Sequence, residues 1–163
     1  MNIFFLDENP KLSAQYHVDK HVIKMILETA QLLCSVHHVT DQVNDQVPYK
    51  LSHKNHPCAV WARQSLSNYL YLCELGLELC YEYTYRYGKR HKSQEVIEWC
   101  LDKKPNIVDK GFTNPPKAMP DEYKVDSVVE SYRNYYTGAK SGFAVWKNRE
   151  VPEWYKQREL ELV

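Results

Sequence analysis

The chain has 163 residues, of which 44% are hydrophobic and 26% charged, a composition typical of a soluble globular protein. Its 21 basic and 21 acidic residues cancel, which excludes a global attraction to nucleic acid or to an anionic membrane, so any polyanion site must come from local clusters. No stretch approaches transmembrane length, and MNIFFLDENP lacks the basic region and the long apolar run of a signal peptide. The length predicts one domain over residues 1–163, with a sizeable core.

The cysteines predict a reduced, cytoplasmic protein. Their number is odd, no CxxC pair occurs, and most of them lie at apolar helical positions. We therefore expect buried thiols rather than disulfides or a zinc–cysteine site. The five are Cys34, Cys58, Cys73, Cys80 and Cys100.

The N-terminal part of the chain predicts an apolar segment followed by a long helix. Residues 2–6 (NIFFL) form a short run that fits a buried strand or an extended segment packed on the core. Residues 7–10 predict a turn, and Pro10 suits the first turn of a helix. We expect one helix from Leu12 through Cys34, ending near residues 37–38.

A helical wheel of this first helix has an unusual distribution of polar residues. Five of them fall within about 40° of one line, and almost all other positions are apolar. The pattern predicts a mostly buried helix with one polar strip. Buried polar groups are costly unless they are paired or line a cleft, so the strip is either hydrogen-bonded core or the wall of an active site. Its members are His17, His21, Lys24, Glu28 and Gln31.

The middle of the chain predicts further helices. Residues 57–65 and 67–87 are either two helices or one kinked helix, and Gly88 is the expected terminator. Ser93 can cap a short helix that runs to about Leu101.

The last third begins with an irregular segment. Residues 103–124 contain four prolines and predict a loop. Asp126 or Ser127 then caps a helix that runs to about Thr137 and ends at Gly138. The predicted fold class is mainly α: a compact single-domain helical fold around a long buried first helix, with a short N-terminal extended segment.

Two histidines at i and i+4 suggest a metal site as one alternative. His17 and His21 are spaced to share an ion from one helix face, with Glu28 further along. No HExxH signature supports this, and Lys24 on the same strip would repel a divalent cation. The candidates for a third ligand are His53, His56 and His91.

Basic residues occur in local groups interleaved with aromatic residues, above all in SYRNYYTGAK (131–140). Lysine and arginine neutralise phosphates, and aromatic rings offer faces to an unstacked base. A solvated surface is the simpler explanation for any single group. The groups are Lys20 and Lys24; Lys50, Lys54 and Arg63; Arg86, Lys89, Arg90 and Lys92; and Arg133, Lys140, Lys147 and Arg149.

Three stretches, in order, resemble the phage pyrimidine-dimer DNA glycosylase (endonuclease V) family. The first is the N-terminal run followed by a helix with Gln15 and a histidine two positions on. The second is KNHP (54–57), similar to a basic-Asn-His-Pro motif of bacterial members, followed by a helix that ends in an Arg-aromatic-Gly turn (86–88). The third is SYRNYYTGAK, similar to an aromatic-basic run near the family's C-terminus. Together these stretches span most of the chain.

The resemblance implies a compact all-helical fold that binds duplex DNA, extrudes a base or its partner and breaks the N-glycosidic bond, leaving an abasic site. An extruded base needs an aromatic pocket, and the positive charge that develops on the sugar needs a carboxylate. Family members with lyase activity use an N-terminal α-amine, freed by removal of Met1 before a small residue. Asn2 predicts retention of Met1, and the family's Arg-Glu pair is absent from the first helix. We therefore expect a monofunctional glycosylase acting on a different damaged base, or on a modified base such as those of viral DNA.

The site residues expected on this hypothesis form three sets. The chemical group is Asp19, His21, Lys24 and Glu28. The substrate-binding set is Gln15, Tyr16, His17, Lys20, Asn55, His56, Tyr135 and Tyr136, with Trp61 as a further aromatic. The DNA-binding set is Lys54, Arg86, Lys89, Arg90, His91, Lys92, Arg133, Lys140 and Lys147.

The sequence leaves open which carboxylate is the key one and which class of function the protein has. The wheel favours Glu28 as the key carboxylate, whereas a position near the helix start favours Asp19. The expected partner is double-stranded DNA, with no cofactor, no metal and no membrane, and the expected oligomeric state is a monomer. The alternatives are a metal-dependent hydrolase that uses a histidine cluster and a non-catalytic module that binds nucleic acid or protein.

Overall fold

Two helices of 22 residues each, α2 and α4, pack against one another and carry the rest of the fold. The computed structural model describes residues 2–40 and 45–161, and within these ranges it contains helices and loops but no strand. This confirms the mainly α prediction. None of the described helices is long and apolar enough to span a membrane. The helices are α1 (Pro10–Tyr16), α2 (Asp19–Thr40), α3 (Pro57–Gln64), α4 (Leu66–Tyr87), α5 (Gln94–Asp102), α6 (Val128–Ala139) and α7 (Glu153–Glu161), with 3-10 turns at Asp121–Tyr123 and Ser141–Phe143.

The core lies where α2 and α4 meet α1, α3 and α5. Gly76 of α4 allows α2 and α5 to pack closely against α4. A Cβ atom at this position would lie 2.9 Å from Thr29 Cγ2 of α2 and 3.0 Å from Ile97 Cδ1 of α5. The missing side chain therefore lets three helices meet at one point. All five cysteines are free and buried, as predicted.

The N-terminal segment is part of this core. Residues 3–6 are buried and have no regular secondary structure, so the packed segment is confirmed and the strand is not. The Leu6 N–H donates to Ser13 Oγ, which donates to the Phe4 carbonyl. Arg133 Nε of α6 donates to the Leu6 carbonyl. These bonds replace those that a sheet partner would make.

The predicted continuous helix over residues 12–34 is wrong at residues 17–18, where the chain leaves the helical conformation between α1 and α2. A contact from a distant part of the sequence accompanies the break. The Gln15 carbonyl, near the end of α1, accepts a hydrogen bond of 2.9 Å from Arg86 Nη2 of α4. A side chain thus satisfies a carbonyl that would otherwise bond to the next helical turn.

Most other predicted helix ends are confirmed. Ser65 is extended, with φ −156°, so α3 and α4 are two helices. Gly88 ends α4 in the left-handed conformation, with φ +69°. Ser127 rather than Asp126 caps α6, because Ser127 Oγ accepts the Glu130 N–H.

Three details of the C-terminal half differ from the prediction. Helix α6 continues through Gly138 to Ala139, and a Cβ at Gly138 would lie 2.3 Å from the Tyr123 ring. Glycine is therefore required for close packing there rather than for ending the helix. Ser93 precedes α5, but its hydroxyl bonds to Tyr49 instead of capping the helix. Helix α7 was not predicted.

Candidate active site

A short polar strip on α2 brings His21, Lys24 and Glu28 to one face of the helix, because their spacings of three and four residues place them on successive turns. His21 is 6% exposed and Glu28 is 9% exposed. The Lys24 side chain is 71% exposed, and its ammonium lies 3.9 Å from Glu28 Oε2. The α2 strip, as we call these three residues, therefore sets a nearly buried carboxylate beside a solvent-facing cation.

His21 stands between the core and the surface. Its ring stacks on Phe4 with centroids 4.2 Å apart and meets the Phe143 ring edge-on at 5.6 Å. Phe4 also lies 6.3 Å from the Tyr135 ring. Burial lowers the pKa of His21 to about 3, so the imidazole is neutral at pH 7.

The Tyr136 hydroxyl fixes the tautomer of His21. It lies 2.7 Å from His21 Nδ1 and accepts the Val18 N–H at 3.4 Å. Tyr136 is fully buried, and burial raises its pKa well above the usual value, so the hydroxyl stays protonated. Because an unpaired buried hydroxyl hydrogen is costly, we assign this hydrogen to a bond with Nδ1. The His21 proton then sits on Nε2, where it can serve as a donor.

His56 joins the region of Glu28 from another element. It caps α3, and its Nδ1 accepts the Cys58 N–H at 3.0 Å, which leaves the proton of the neutral ring on Nε2. Burial lowers the pKa of His56, and the negative charge of Glu28 partly opposes that shift. Helix α3, which begins directly after His56, packs against α2, and Lys54 and Asn55 of the KNHP segment are exposed.

Cation–aromatic pairs form a rim next to His21. Lys20 Nζ lies 4.9 Å from the centroid of Phe143, and Lys140 Nζ lies 4.6 Å from that of Tyr135. Tyr123 packs against Tyr135 at 5.3 Å. All of these side chains are partly or largely exposed. The rim thus presents two cations suited to phosphates, each lying over the face of an aromatic ring.

Asp19, the other candidate carboxylate, belongs to a closed ion cluster. Its Oδ1 accepts hydrogen bonds from Arg86 Nη1 at 2.9 Å and from the Lys147 N–H at 2.8 Å. Arg86 Nε donates to Glu82 Oε2 at 2.7 Å. Arg149 donates to both Glu82 oxygens, at 3.0 and 2.9 Å. We call Asp19, Glu82, Arg86 and Arg149 the Arg86 cluster; its two negative and two positive charges balance.

The structure corrects the DNA-binding prediction for two arginines. Arg86 is 2% exposed, and its guanidinium is used within the Arg86 cluster, so it cannot face a phosphate. Arg133 donates to the Leu6 carbonyl and to Asp7 Oδ1, which ties α6 to the N-terminal segment. Both arginines hold the fold together.

The remaining DNA-binding candidates differ in whether their side chains already bond to other residues of the protein. His91 is committed internally, because its Nε2 donates to the Ile23 carbonyl and its Nδ1 accepts the Ser93 N–H. Arg90 is exposed but pairs with Glu98. Five candidates have exposed or half-exposed side chains that make no ion pair with any residue in 2–40 and 45–161: Lys54, Lys89, Lys92, Lys140 and Lys147.

Several predicted pocket residues do not lie at the α2 strip. His17 is 1% exposed in the break between α1 and α2, with Nδ1 2.6 Å from the Ser13 carbonyl, and burial lowers its pKa to about 4. Gln15 lines a separate cavity of about 210 Å³. Tyr16 packs against Trp154. Tyr136, by contrast, contacts His21 of the α2 strip, but it is fully buried and presents no surface to a substrate. Trp61 is buried, with its indole N–H donating to the Thr113 carbonyl.

The histidine pair that suggested a metal does not share a helix face. The break at residues 17–18 separates the two rings, and their Nδ1 atoms face a carbonyl and a tyrosine hydroxyl. Within residues 2–40 and 45–161, no group of three or more histidine, cysteine, aspartate or glutamate side chains is arranged to hold a metal ion. His17, His21 and Glu28 therefore do not form the ligand set that their spacing suggested.

Sequence reasoning missed the two phenylalanines that cover His21. Phe4 was assigned to the core without a role, and Phe143 was not singled out. Nothing near either residue in the sequence points to His21, because both contacts depend on tertiary packing.

Comparison of the chain with family models, with curated proteins and with solved structures found no match. The α2 strip, its rim and the Arg86 cluster are therefore the observations from which a function can be argued.

Proposed function

We propose that this chain is a DNA glycosylase that extrudes a damaged or modified base from double-stranded DNA and hydrolyses its N-glycosidic bond. The observation that carries this proposal is the placement of Glu28. This carboxylate is nearly buried on the α2 strip beside His21 and Lys24, next to a rim of cations and aromatic rings. Each feature meets a separate need of base excision.

The carboxylate stabilises the positive charge that develops on the sugar during the reaction. As the bond between base and sugar breaks, its electron pair leaves with the base and positive charge grows on the sugar. A carboxylate held in a mostly buried position stabilises that charge more strongly than one in water. Water then adds to the anomeric carbon, and the proton that it loses passes through the solvent to the departing base. Glu28 has this role in our proposal.

The histidine donates a hydrogen bond to the leaving base. His21 is neutral at pH 7 and carries its proton on Nε2, because Nδ1 is bonded to Tyr136. A neutral imidazole N–H can donate a hydrogen bond to a base that gains electron density. Its low pKa makes His21 a hydrogen-bond donor rather than an acid that is charged at the start of the reaction.

Asp19 is the weaker candidate. Its Oδ1 already accepts two hydrogen bonds, one of them from a buried guanidinium. Use of Asp19 on a substrate would disturb charges that the fold has already paired. Support for Glu28 thus comes from its position on the helix, beside His21 and Lys24, and from the structural use of Asp19.

The rim binds the extruded base and its flanking phosphates. A base that leaves the stack needs an apolar or aromatic face, and its flanking phosphates need cations. Tyr135 and Phe143 offer such faces, with Lys140 and Lys20 above their rings. The sequence candidates Lys54 and Asn55 are exposed on the segment that leads into α3, the helix that packs against α2.

The test is an excision assay on a panel of duplexes, each carrying one damaged or modified base, followed by alkali. We expect alkali-labile sites with at least one duplex, and a loss of about 100-fold or more in Glu28→Gln, the scale of a lost catalytic group. The matched control is Glu74→Gln on the exposed face of α4, which should keep full activity.

Three results would overturn the proposal. The first is a panel on which the wild-type protein leaves no alkali-labile site. The second is DNA binding that Glu28→Gln leaves unchanged with no product from either protein, as a binding module would behave. The third is a stoichiometric metal ion in the purified protein that is lost together with activity in His21→Ala, as a metal-dependent hydrolase would behave.

A further inference from the structure

A groove of about 750 Å³ runs along α2 on the side away from His21. Three aliphatic side chains that form its apolar surface, Ile23, Leu27 and Leu51, are each 41–46% exposed. The proposed excision chemistry uses none of them. We call this feature the Ile23 groove.

The charge around the Ile23 groove has one sign. Lys24 approaches it from α2, Lys50 from the segment before α3, and Lys92 from the loop before α5. None of the eleven described residues that line the groove is acidic. Neither Lys50 nor Lys92 makes an ion pair with any described residue. An occupant that complements these walls must be anionic.

Several other polar groups of the groove are already used in holding its walls. Both ring nitrogens of His91 are bonded, one to the Ile23 carbonyl and one to the Ser93 N–H. The Tyr49 hydroxyl bonds to Ser93 Oγ at 2.8 Å. These bonds tie α2 and the segment before α3 to the loop before α5. The groove is therefore a built site in which the ammonium groups of Lys50 and Lys92 make no ion pair with a described residue.

We propose that the Ile23 groove binds a nucleotide, with the base on the apolar floor and the phosphate between the lysines. The volume lies within the range of about 300–1,000 Å³ typical of small-ligand sites. Inorganic phosphate would leave Ile23, Leu27 and Leu51 uncovered, and a nucleoside would leave the lysines without a partner. A nucleotide joins a flat, weakly polar base to an anion within one small unit. A free nucleotide and a nucleotide within a DNA single strand share this chemistry.

This proposal goes beyond the excision reaction and does not require it. The groove and the α2 strip share Lys24 alone, and Glu28 does not line the groove. Nucleotide binding can therefore be measured on Glu28→Gln, which keeps all eleven lining residues and should still bind a nucleotide. Excision without nucleotide binding would contradict the groove proposal only. Nucleotide binding without excision would contradict the glycosylase proposal only.

The binding test is equilibrium dialysis of the full chain against five kinds of probe. These are deoxyadenosine and thymidine 5′-monophosphates, their nucleosides, inorganic phosphate, a five-residue oligothymidylate, and an acidic peptide of glutamate and leucine. We expect the monophosphates or the oligothymidylate to bind at least about tenfold more tightly than the nucleosides, inorganic phosphate and the peptide, a difference of about 1.4 kcal/mol. Binding of the oligonucleotide alone assigns the site to DNA, and binding of the monophosphates assigns it to free nucleotides.

Variants tie that binding to the groove. Lys50→Glu and Leu51→Ser change exposed residues in a loop, where the fold tolerates substitution. Each should weaken nucleotide binding by about tenfold, a loss of about 1.4 kcal/mol. The matched controls are Lys156→Glu and Leu160→Ser on α7, which packs on α6 and does not line the groove. The controls should change the affinity by less than about twofold, the range expected of neutral surface substitutions.

Four results would overturn the proposal. They are no nucleotide binding at all, equal binding of nucleotides and inorganic phosphate, tighter binding of the acidic peptide than of any nucleotide, and nucleotide binding that both groove variants leave unchanged.

Discussion

The Arg86 cluster and the α2 strip both place a carboxylate of the same helix away from bulk water, yet they differ in how its charge is matched. Asp19 and Glu28 are nine residues apart, which is about 13 Å along a helix. Asp19 lies against a fully buried guanidinium, within a set of two acids and two arginines. Glu28 has Lys24 3.9 Å away, and that lysine is mostly exposed.

This difference separates groups that hold the fold from groups that can act on a substrate. Buried charges are tolerated when each has a close, hydrogen-bonded partner, and removal of one partner is then costly. A group whose cation faces the solvent can exchange that interaction for one with a ligand. Asp19 is thus tied to a buried arginine that holds two helices together, whereas Glu28 lies beside a lysine that a ligand can reach.

The largest expected effect is the loss of the central acid of the Arg86 cluster. Glu82→Gln leaves Arg86 and Arg149 without the negative charge they share, and it replaces one of the two accepting oxygens with an NH2 group that cannot accept. We expect the free energy of unfolding in urea to fall by about 3–5 kcal/mol, as for other buried pairs that lose one partner. Glu74→Gln on the exposed face of the same helix should change it by less than about 0.5 kcal/mol. Equal effects of the two variants would show that the Arg86 cluster is not structural.

A smaller effect should come from the buried histidines when the pH is lowered. The pKa is about 3 for His21 and about 4 for His17 in the folded protein, both below the ordinary value of 6.5. Below pH 6.5 the unfolded chain takes up protons that the folded chain does not. Stability therefore falls as the pH falls from about 6.5 towards 4, by up to about 1.4 kcal/mol per pH unit for each histidine.

Urea denaturation at several pH values checks this slope. His21→Gln should remove the contribution of one histidine to the pH dependence of the free energy of unfolding. The remaining slope should therefore be shallower than that of the wild-type protein. An unchanged slope in His21→Gln would mean that His21 is charged or exposed in the folded state, and its role as a neutral donor would fail.

The smallest expected effect concerns the rim. Lys140→Ala removes one partly exposed cation above Tyr135 and changes no residue of the α2 strip itself. The dependence of DNA affinity on salt should become shallower by about 0.9 in the log–log slope, the share of one phosphate contact. Affinity should fall to a similar extent for every duplex sequence. A salt dependence identical to that of the wild-type protein would place the DNA elsewhere.

The sequence was sufficient for those features that depend on neighbouring residues. The spacing of His21, Lys24 and Glu28 depends only on helix geometry, so the wheel placed them correctly on one face. The ends of the helices at Gly88 and Ser127 follow from local backbone chemistry in the same way.

The sequence was insufficient where a distant contact overrides the local pattern. The first helix breaks where Arg86, 71 residues further on, bonds to the Gln15 carbonyl. His21 obtains its tautomer from Tyr136, 115 residues away. Arg86 was predicted to bind phosphate because it lies near other basic residues in the sequence. Its burial is set by the helices that pack around it, and no local pattern carries that information.

The most direct test of the central claim compares Glu28→Gln with Asp19→Asn in two measurements, the single-turnover excision rate at saturating protein and the free energy of unfolding. For Glu28→Gln we predict a rate loss of about 100-fold or more, with the free energy of unfolding within about 1 kcal/mol of the wild-type value. For Asp19→Asn we predict a stability loss of about 3 kcal/mol, because buried Arg86 loses one partner, with excision by the folded fraction nearly unchanged. A stable Asp19→Asn that has lost excision, beside an active Glu28→Gln, would contradict the assignment.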